Sequence, residues 1–420
     1  MNKILVLGAG SCQINLIKRI KEMGHYVIAS GYSINAPGKK IADECALADT
    51  FSYEENLNLS KKYDVDAIIT TGTDQPVLTV AKVAKQLGLI SFLDEKTAFN
   101  VTNKKMMKKI FVENDIKAAN YKIIKKDFKI EELSDIKEPI VIKPLDSQGQ
   151  RGIFKLKSKS EIKNYIDKTL KYSRTEEVLI EEFYENKELT VTGWVDNGNV
   201  TILTVTDRVT FESELNIGIC KSHEYPSIHL KKYRKEIFNI TKKICKAFEI
   251  KEGPIYFQYL VGDNGILVNE IACRIGGAYE DISIPYITEV DILEMLVEGS
   301  LNENYNKETL RNYKYDDTKM CLSTQLFFCK KGKIKNMTKI EELLKKDYIL
   351  DVGYNYNIGD TVIEKENASQ RAGYVIIKGK NEEEIKKNIE KTFDVMKFED
   401  DYCENMIIRG KRWYRWKEGW

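Results

Sequence analysis

Three stretches of this chain place charged and amide side chains where chemistry could use them. In the first, the apolar run Pro139-Ile140-Val141-Ile142 ends in Lys143-Pro144, and the polar loop Asp146-Ser147-Gln148-Gly149-Gln150-Arg151-Gly152 follows. A lysine at the tip of a buried strand must send its ammonium out of the sheet or against an anion. A loop of small residues with two glycines lets backbone N–H groups wrap phosphate oxygens, although the same composition also describes a plain hairpin turn. In the second stretch, Val178-Leu179-Ile180 runs into Glu181-Glu182-Phe183-Tyr184, and Glu188 stands seven residues beyond Glu181. A carboxylate there can accept from ribose hydroxyls while strand-end backbone groups read an adenine edge; a solvated strand end is the plainer alternative. The third is a hairpin, Ile255–Val261 and Ile266–Ile271, around a three-residue loop Asp263-Asn264-Gly265. That loop, with Gly265 at positive φ, sets Gln258 opposite Glu270, with Cβ atoms about 5 Å apart. Two oxygen donors so placed can hold Mg²⁺, which fills its remaining positions with water and phosphate. A cross-strand polar pair on a solvent face is the other reading. Arg274 leaves the same strand toward Gly276-Gly277.

A fourth stretch, Gly8-Ala9-Gly10, follows the first apolar run, but Gln13 stands where a dinucleotide fingerprint has its third glycine. That glycine permits close helix–strand packing, so a tight strand-to-helix turn is the better reading than an NAD site. No Ser/His/Asp or Cys/His arrangement for covalent catalysis is visible. The eight cysteines form no CxxC, and three histidines offer little for zinc, which points to reduced thiols.

The elements that must position these residues alternate early and change texture later. Ile4–Leu7, a helical period through Ile14, Ile17 and Ile20, strand Tyr26-Val27-Ile28, strand Asp66–Thr70 and a helix Gln75–Gln86 predict an open parallel sheet. A Lys/Met-rich helix, Lys104–Asn114, then leads into the Lys143 strand. A helix near Glu161–Tyr172, strands Leu189–Val195 and Val200–Val205, and a helix Lys231–Phe248 precede the hairpin. The last region mixes strands Thr324–Cys329 and Gly373–Lys378 with an amphipathic helix Glu382–Phe393. Boundaries near 95 and 300 give three domains, 1–95, 96–300 and 301–420, with a small lobe at about 115–182.

At 420 residues, 42% apolar and 31% charged, the composition is that of a globular chain with sizeable cores. A net charge of +2 supplies no field for nucleic acid or acidic lipid, and no window has the length of an apolar membrane span. The Met-Asn-Lys start lacks a signal-peptide shape, so a cytoplasmic protein is expected. Lysine supplies 55 of the 66 cationic residues, so a well-placed arginine carries more information than a lysine.

Taken in order, these stretches resemble the ATP-grasp superfamily over roughly residues 1–300. The stretches that carry the resemblance are VIKPLDSQGQRGIF, VLIEEFYENKELTV and FQYLVGDNGILVNEIACRIGG. The resemblance implies an N-terminal Rossmann-like open parallel sheet, a two-lobed ATP-grasp α+β domain and a C-terminal α+β segment. It implies that Lys104 and Lys143 hold ATP phosphates under a lid that includes Ser147, Gly149, Gln150 and Gly152. Glu181 would lie near the adenine amino group, the Glu182 carbonyl and Tyr184 N–H would read its edge, and Glu188 would bind ribose. Gln258 and Glu270 would be Mg²⁺ ligands, and Arg274 would stabilise the transferring phosphoryl group or the acyl phosphate. Most relatives carry Glu or Asp at the Gln258 position, with the carbamoyl-phosphate synthetases similar in using Gln. Ala272 replaces the usual Asn, which removes a ligand, so a second Mg²⁺ would be weakly held and metal affinity would depend on bound nucleotide.

Within the superfamily the layout is most similar to the amino-acid ligases and purine-pathway carboxylases. The expected reaction is an ATP-dependent carboxylate–amine ligation through an acyl phosphate, releasing ADP and phosphate. The alternatives are a bicarbonate-activating carboxylase working through carboxyphosphate and a catalytically retired ATP-binding module. Residues from Phe211-Glu212 through His223 to Pro226 would line the substrate pocket. His223 is a contact there unless it is an incidental surface-loop histidine, and Arg274, Gly276 and Gly277 are further candidate substrate contacts. The loops at Gly10–Gln13 and Thr71–Asp74 are further places for substrate contacts. Small-molecule substrates and a homodimer are the expected partners. The Trp/Arg-rich end, residues 409–420, is expected to pack against a neighbouring domain or subunit rather than a membrane or polyanion.

Overall fold

In the computed structural model, which describes residues 1–211, 217–302, 304–363 and 367–409, the chain opens with a four-stranded parallel sheet. Its strand order is Glu44–Ala46, Tyr26–Ser30, Lys3–Leu7, Ala67–Ile69. The helices Ile14–Glu22 and Pro76–Leu87 pack on it through the apolar stripes that the sequence spacing predicts. The Gly8–Gly10 turn is closed by its own helix: Gly10 N–H donates to Gln13 Oε1 at 2.9 Å, and Gln13 Nε2 donates to Thr71 O. The amide that a nucleotide phosphate would need is thus already used.

A smaller antiparallel sheet follows, ordered Tyr121–Lys125, Glu177–Glu182, Ile140–Pro144, Phe154–Leu156, with the helix Ile162–Leu170 over its apolar face. The third sheet has eight strands: Gly265–Ala272, Gly253–Gly262, Lys187–Asp196, Asn199–Thr210, Cys220–Tyr225, Cys321–Phe327, Gly373–Gly379 and Ile349–Tyr354, in that order. Every neighbouring pair in it is antiparallel. This sheet runs continuously across residue 300. The architecture is therefore mixed α/β, with an N-terminal parallel sheet and a large antiparallel one. Helix Leu230–Ala247 covers the large sheet, burying Ile237 and Ile244, with Phe248 at its C-terminal cap, among Val191, Phe257, Tyr259 and Ile271. Among the described residues no helix is long and apolar enough to cross a membrane. All eight cysteines are free thiols.

Two expectations are corrected by the strand pairings. The hairpin loop has two residues, not three: Gly262 pairs with Gly265, leaving Asp263-Asn264 as the turn. Gln258 still faces Glu270 because a bulge at Asn269 shifts the register by one residue. The bulge also reverses the strand's alternation, so that Val268 and Ile271 enter the core while Asn269 and Glu270 face out. The second correction concerns His223. It is buried on the strand Cys220–Tyr225, near the middle of the large sheet, and not on a surface loop.

Candidate active site

Between the small sheet and the large one lies a cleft with about 690 Å³ of space open to solvent. The helix Lys104–Glu113 supplies one wall. Asn103 caps it by accepting from Met106 N–H, and four-residue spacing puts Lys104 and Lys108 on one face. Both ammoniums are buried. Lys104 Nζ donates to Glu270 Oε1 at 2.7 Å and to the Ser147 carbonyl at 2.9 Å. Burial pulls Lys104 toward neutrality, but the Glu270 carboxylate beside it wins and holds it charged.

The small sheet contributes Glu181 and Lys143. Val141 pairs with Glu181, so strand alternation puts Lys143, two residues on, diagonally beside that carboxylate. Glu181 bridges the Lys108 and Lys143 ammoniums, one on each oxygen. Burial pushes its carboxyl up, and the two cations more than offset this and hold it at about 2. Lys143 also donates to Asn269 Oδ1 at 3.1 Å, across to the bulge. Glu182, on the opposite face, accepts from Lys137 N–H and Asn120 Nδ2. Tyr184 accepts from Asn264 N–H and donates to the Gly265 carbonyl at 2.9 Å, tying the hairpin tip to the small sheet.

The large sheet supplies the floor. Gln258 and Glu270 face each other near Lys104, and Glu188 pairs with Arg208 directly across the neighbouring strand. Arg208 also donates to the Gly218 carbonyl at 2.8 Å. The cleft is thus lined by four cations, Lys104, Lys108, Lys143 and Arg208, and by four glutamates, Glu181, Glu182, Glu188 and Glu270. Three ammoniums and a guanidinium converging on one cleft offer cationic partners to a polyanion such as a triphosphate.

Of the loop residues, Gln150 lines the cleft and sits against Gly218, while Ser147 reaches it through its carbonyl. Gln148 accepts from Asp74 N–H, and Gly149 O accepts from Ala368 N–H at 3.3 Å, so the loop touches both the N-terminal sheet's loops and the C-terminal region. Gly152 packs away from the cleft, against Tyr172. Arg274 lies at the far end of the hairpin strand, where Asp74 takes its guanidinium at 2.6 Å and the Tyr256 ring lies 4.5 Å from it. Gly277 meets the same loop, its α-carbon against Gly72, and Gly72 N–H donates to Ile275 O at 3.0 Å. Cys12 Sγ from the first turn lies 3.6 Å from Gly277 O. Residues 212–216 of the expected pocket segment and 410–420 of the Trp/Arg-rich end lie outside the described residues.

The oxygen donors fit a magnesium ion. Gln258 and Glu270 supply a hard amide oxygen and a carboxylate, and the remaining positions would fall to water and phosphate. Among the described residues there is no cluster of three or more His, Cys, Asp or Glu side chains that would make an all-protein metal cage. Lys108, Arg208 and Asn269 are site residues that sequence reasoning missed. Lys108 stands one turn from Lys104, and Arg208 is one of few arginines in the chain, so both left a signal; Asn269 left none, because bulges are not written in strand patterns.

Comparison with known proteins fits this geometry. Residues 136–281 match the ATP-grasp domain model, and residues 325–399 match L-amino acid ligase C-terminal domain 2. The formate-dependent phosphoribosylglycinamide formyltransferase of Bacteroides fragilis is 28% identical over 220 residues, 50% of this chain and 52% of that protein. The L-arginine-specific L-amino acid ligase of Bacillus subtilis is 33% identical over 152 residues, 36% of this chain and 35% of the relative. These alignments span about half and a third of those relatives' lengths. The crystal structure of an L-amino acid ligase from Bacillus licheniformis superposes with a TM-score of 0.78 at 15% identity, covering 96% of this chain and 99% of the other, which is a likeness of fold.

Proposed function

We propose, for a chain that carries an ATP-grasp domain and an L-amino acid ligase C-terminal domain, that it joins a carboxylate to an amine with ATP and releases ADP and phosphate. The observation that carries the reading is the convergence of Lys104, Lys143, Gln258 and Glu270 on one cleft, with Arg274 two residues beyond the strand that carries Glu270. Lys104 and Lys143 hold the phosphates, Glu188 takes the ribose, and the backbone at Glu182 and Tyr184 reads the base. Glu181 pairs with Lys108 and Lys143 and aims their side chains. Gln258 and Glu270 hold Mg²⁺, which neutralises charge on the phosphates when bound. The carboxylate attacks the γ-phosphorus, ADP leaves, and the amine displaces phosphate from the acyl phosphate. Such a transfer needs positioning and charge neutralisation rather than a covalent protein nucleophile. The loop at 147–152, already in contact with three parts of the molecule, keeps water from the acyl phosphate.

The match over residues 325–399 favours amide formation over bicarbonate activation. The test is a product analysis of protein, ATP and Mg²⁺ with pooled carboxylates and L-amino acids. The reading expects ADP, phosphate and a product whose mass is the sum of two substrates less water. ADP release that follows added bicarbonate, with no condensed product, would replace it with the carboxylase reading.

A further inference from the structure

Beyond the cleft, past Arg274, the structure buries a second group of polar side chains that the ligase scheme above leaves unused. Glu280 opens the helix Glu280–Thr288, and its Oε2 accepts from Ala278 N–H at 2.7 Å. Its other oxygen, Oε1, has no hydrogen-bond partner among the described residues, and neither has His223 Nε2, 4.0 Å away. Glu280 and His223 are only 6% and 5% exposed. On its other side, His223 holds Thr206 Oγ1 through Nδ1 at 3.1 Å. Gly276 is what lets the carboxylate in, because a Cβ there would lie 2.3 Å from Glu280 Cδ. That glycine stands two residues beyond Arg274, so Glu280 lies beside the strand end where Arg274 emerges. Arg371, from the region that matches the ligase C-terminal domain, closes the group by donating Nη1 to Gly277 O at 3.1 Å.

A buried, acceptor-only oxygen without a donor costs free energy, and a ligand that brings N–H groups relieves it. Of the two substrates, the amine nucleophile necessarily carries them. Resting on the ligase reading, we infer that Glu280 receives the amine nucleophile and takes one proton from its ammonium form before attack. The neutral nitrogen then forms the C–N bond as the C–O bond to phosphate breaks. The second nitrogen proton leaves with the phosphate, and Glu280 returns its own proton to water. Burial pushes the Glu280 carboxyl up and His223 well below the usual histidine range, so a carboxylate of raised basicity faces a neutral imidazole. The groups that face Glu280 are His223 and Cys220 from one strand, Tyr256 from another, Arg274, Asp281 and Arg371.

Hydroxylamine, largely unprotonated at neutral pH, needs no such base, which separates the two halves of the reaction. Glu280→Gln is assayed with ATP, Mg²⁺ and pooled carboxylates, against either hydroxylamine or an equimolar L-amino acid mixture. Hydroxamate formation within about threefold of wild type is expected, with amide formation at pH 7 down about 100-fold. The amide rate of the variant then climbs about tenfold per pH unit from 7 to 9, as free amine accumulates. Glu280→Asp, which retains a carboxylate one methylene shorter, is expected to recover part of the amide rate. Equal loss of hydroxamate and amide in both variants, an unchanged amide rate, or an amide rate flat with pH would each overturn the inference while leaving the ligase intact. A wild-type protein that makes neither product fails the ligase reading itself, and the role of Glu280 falls with it.

Discussion

Gln258 and Glu270 face each other across the hairpin because Asn269 bulges out between Val268 and Glu270. One extra residue keeps two apolar side chains in the core and turns a carboxylate into the cleft, and it frees the Asn269 amide to hold Lys143. The bulge therefore joins the proposed metal-binding pair to the proposed phosphate-binding lysine.

Asn269→Ala removes the acceptor for Lys143 without disturbing buried apolar surface. A hydrogen bond to a charged group is worth roughly 1.5–3 kcal/mol at most, and water replaces part of it in an open cleft. ATP affinity measured by calorimetry is expected to fall about 3–10-fold with the melting temperature unchanged. An unaltered affinity would leave Asn269 without a role.

Glu270→Gln strips the partner from the buried Lys104 ammonium, so it should cost stability as well as activity. Breaking a buried pair on one side costs about 3 kcal/mol or more. Lys104→Met added to Glu270→Gln is expected to restore most of the stability and none of the ATP turnover. Denaturant melts of the two singles and the double give the coupling directly.

Glu181 makes acid stability a readout of the cleft. Its folded value of about 2 lies below the ordinary carboxyl value of 4.5, so its contribution is present above about pH 4.5 and fades as pH falls toward 2. Glu181→Gln is expected to be less stable at pH 7 by about 3 kcal/mol, with the difference from wild type closing below pH 3. Thermal melts across that range check it.

Asp281 works in the opposite sense. Burial raises its carboxyl to about 7, against a donated bond from Asn15, so the folded state favours the protonated form. Its unfolded value is near 3.8, and stability is therefore lost as pH rises from there through 7. Asp281→Asn is expected to raise the melting temperature at pH 8 and to leave it nearly unchanged at pH 4.

The fold was legible where one period governed a whole element. The alternation around Ile4–Leu7 and Ala67–Ile69 and the helical spacing of Leu230–Ala247 could be read directly. Residues 220–225, CKSHEY, could not be read as a strand, because they are buried on both faces yet polar in sequence. Their interior setting comes from the Cys321–Phe327 strand far along the chain, which pairs with them and supplies Thr324 opposite His223. The continuity of the large sheet past residue 300 was hidden for the same reason, since strand pairing at long range leaves no local mark. In the site, Lys143, Glu181, Gln258 and Glu270 were accessible because each ends or faces a strand. The ion-pair network that joins them through Lys108, and the Gln258–Glu270 register as the bulge sets it, required the structure.

The most direct test of the acyl-phosphate account is a hydroxylamine trap run with ATP, Mg²⁺ and pooled carboxylates and read by mass spectrometry. The account expects one hydroxamate, formed in step with ADP, whose mass identifies the carboxylate. ATP consumed to AMP and pyrophosphate, or ADP released with bicarbonate and no hydroxamate from any carboxylate, would contradict it.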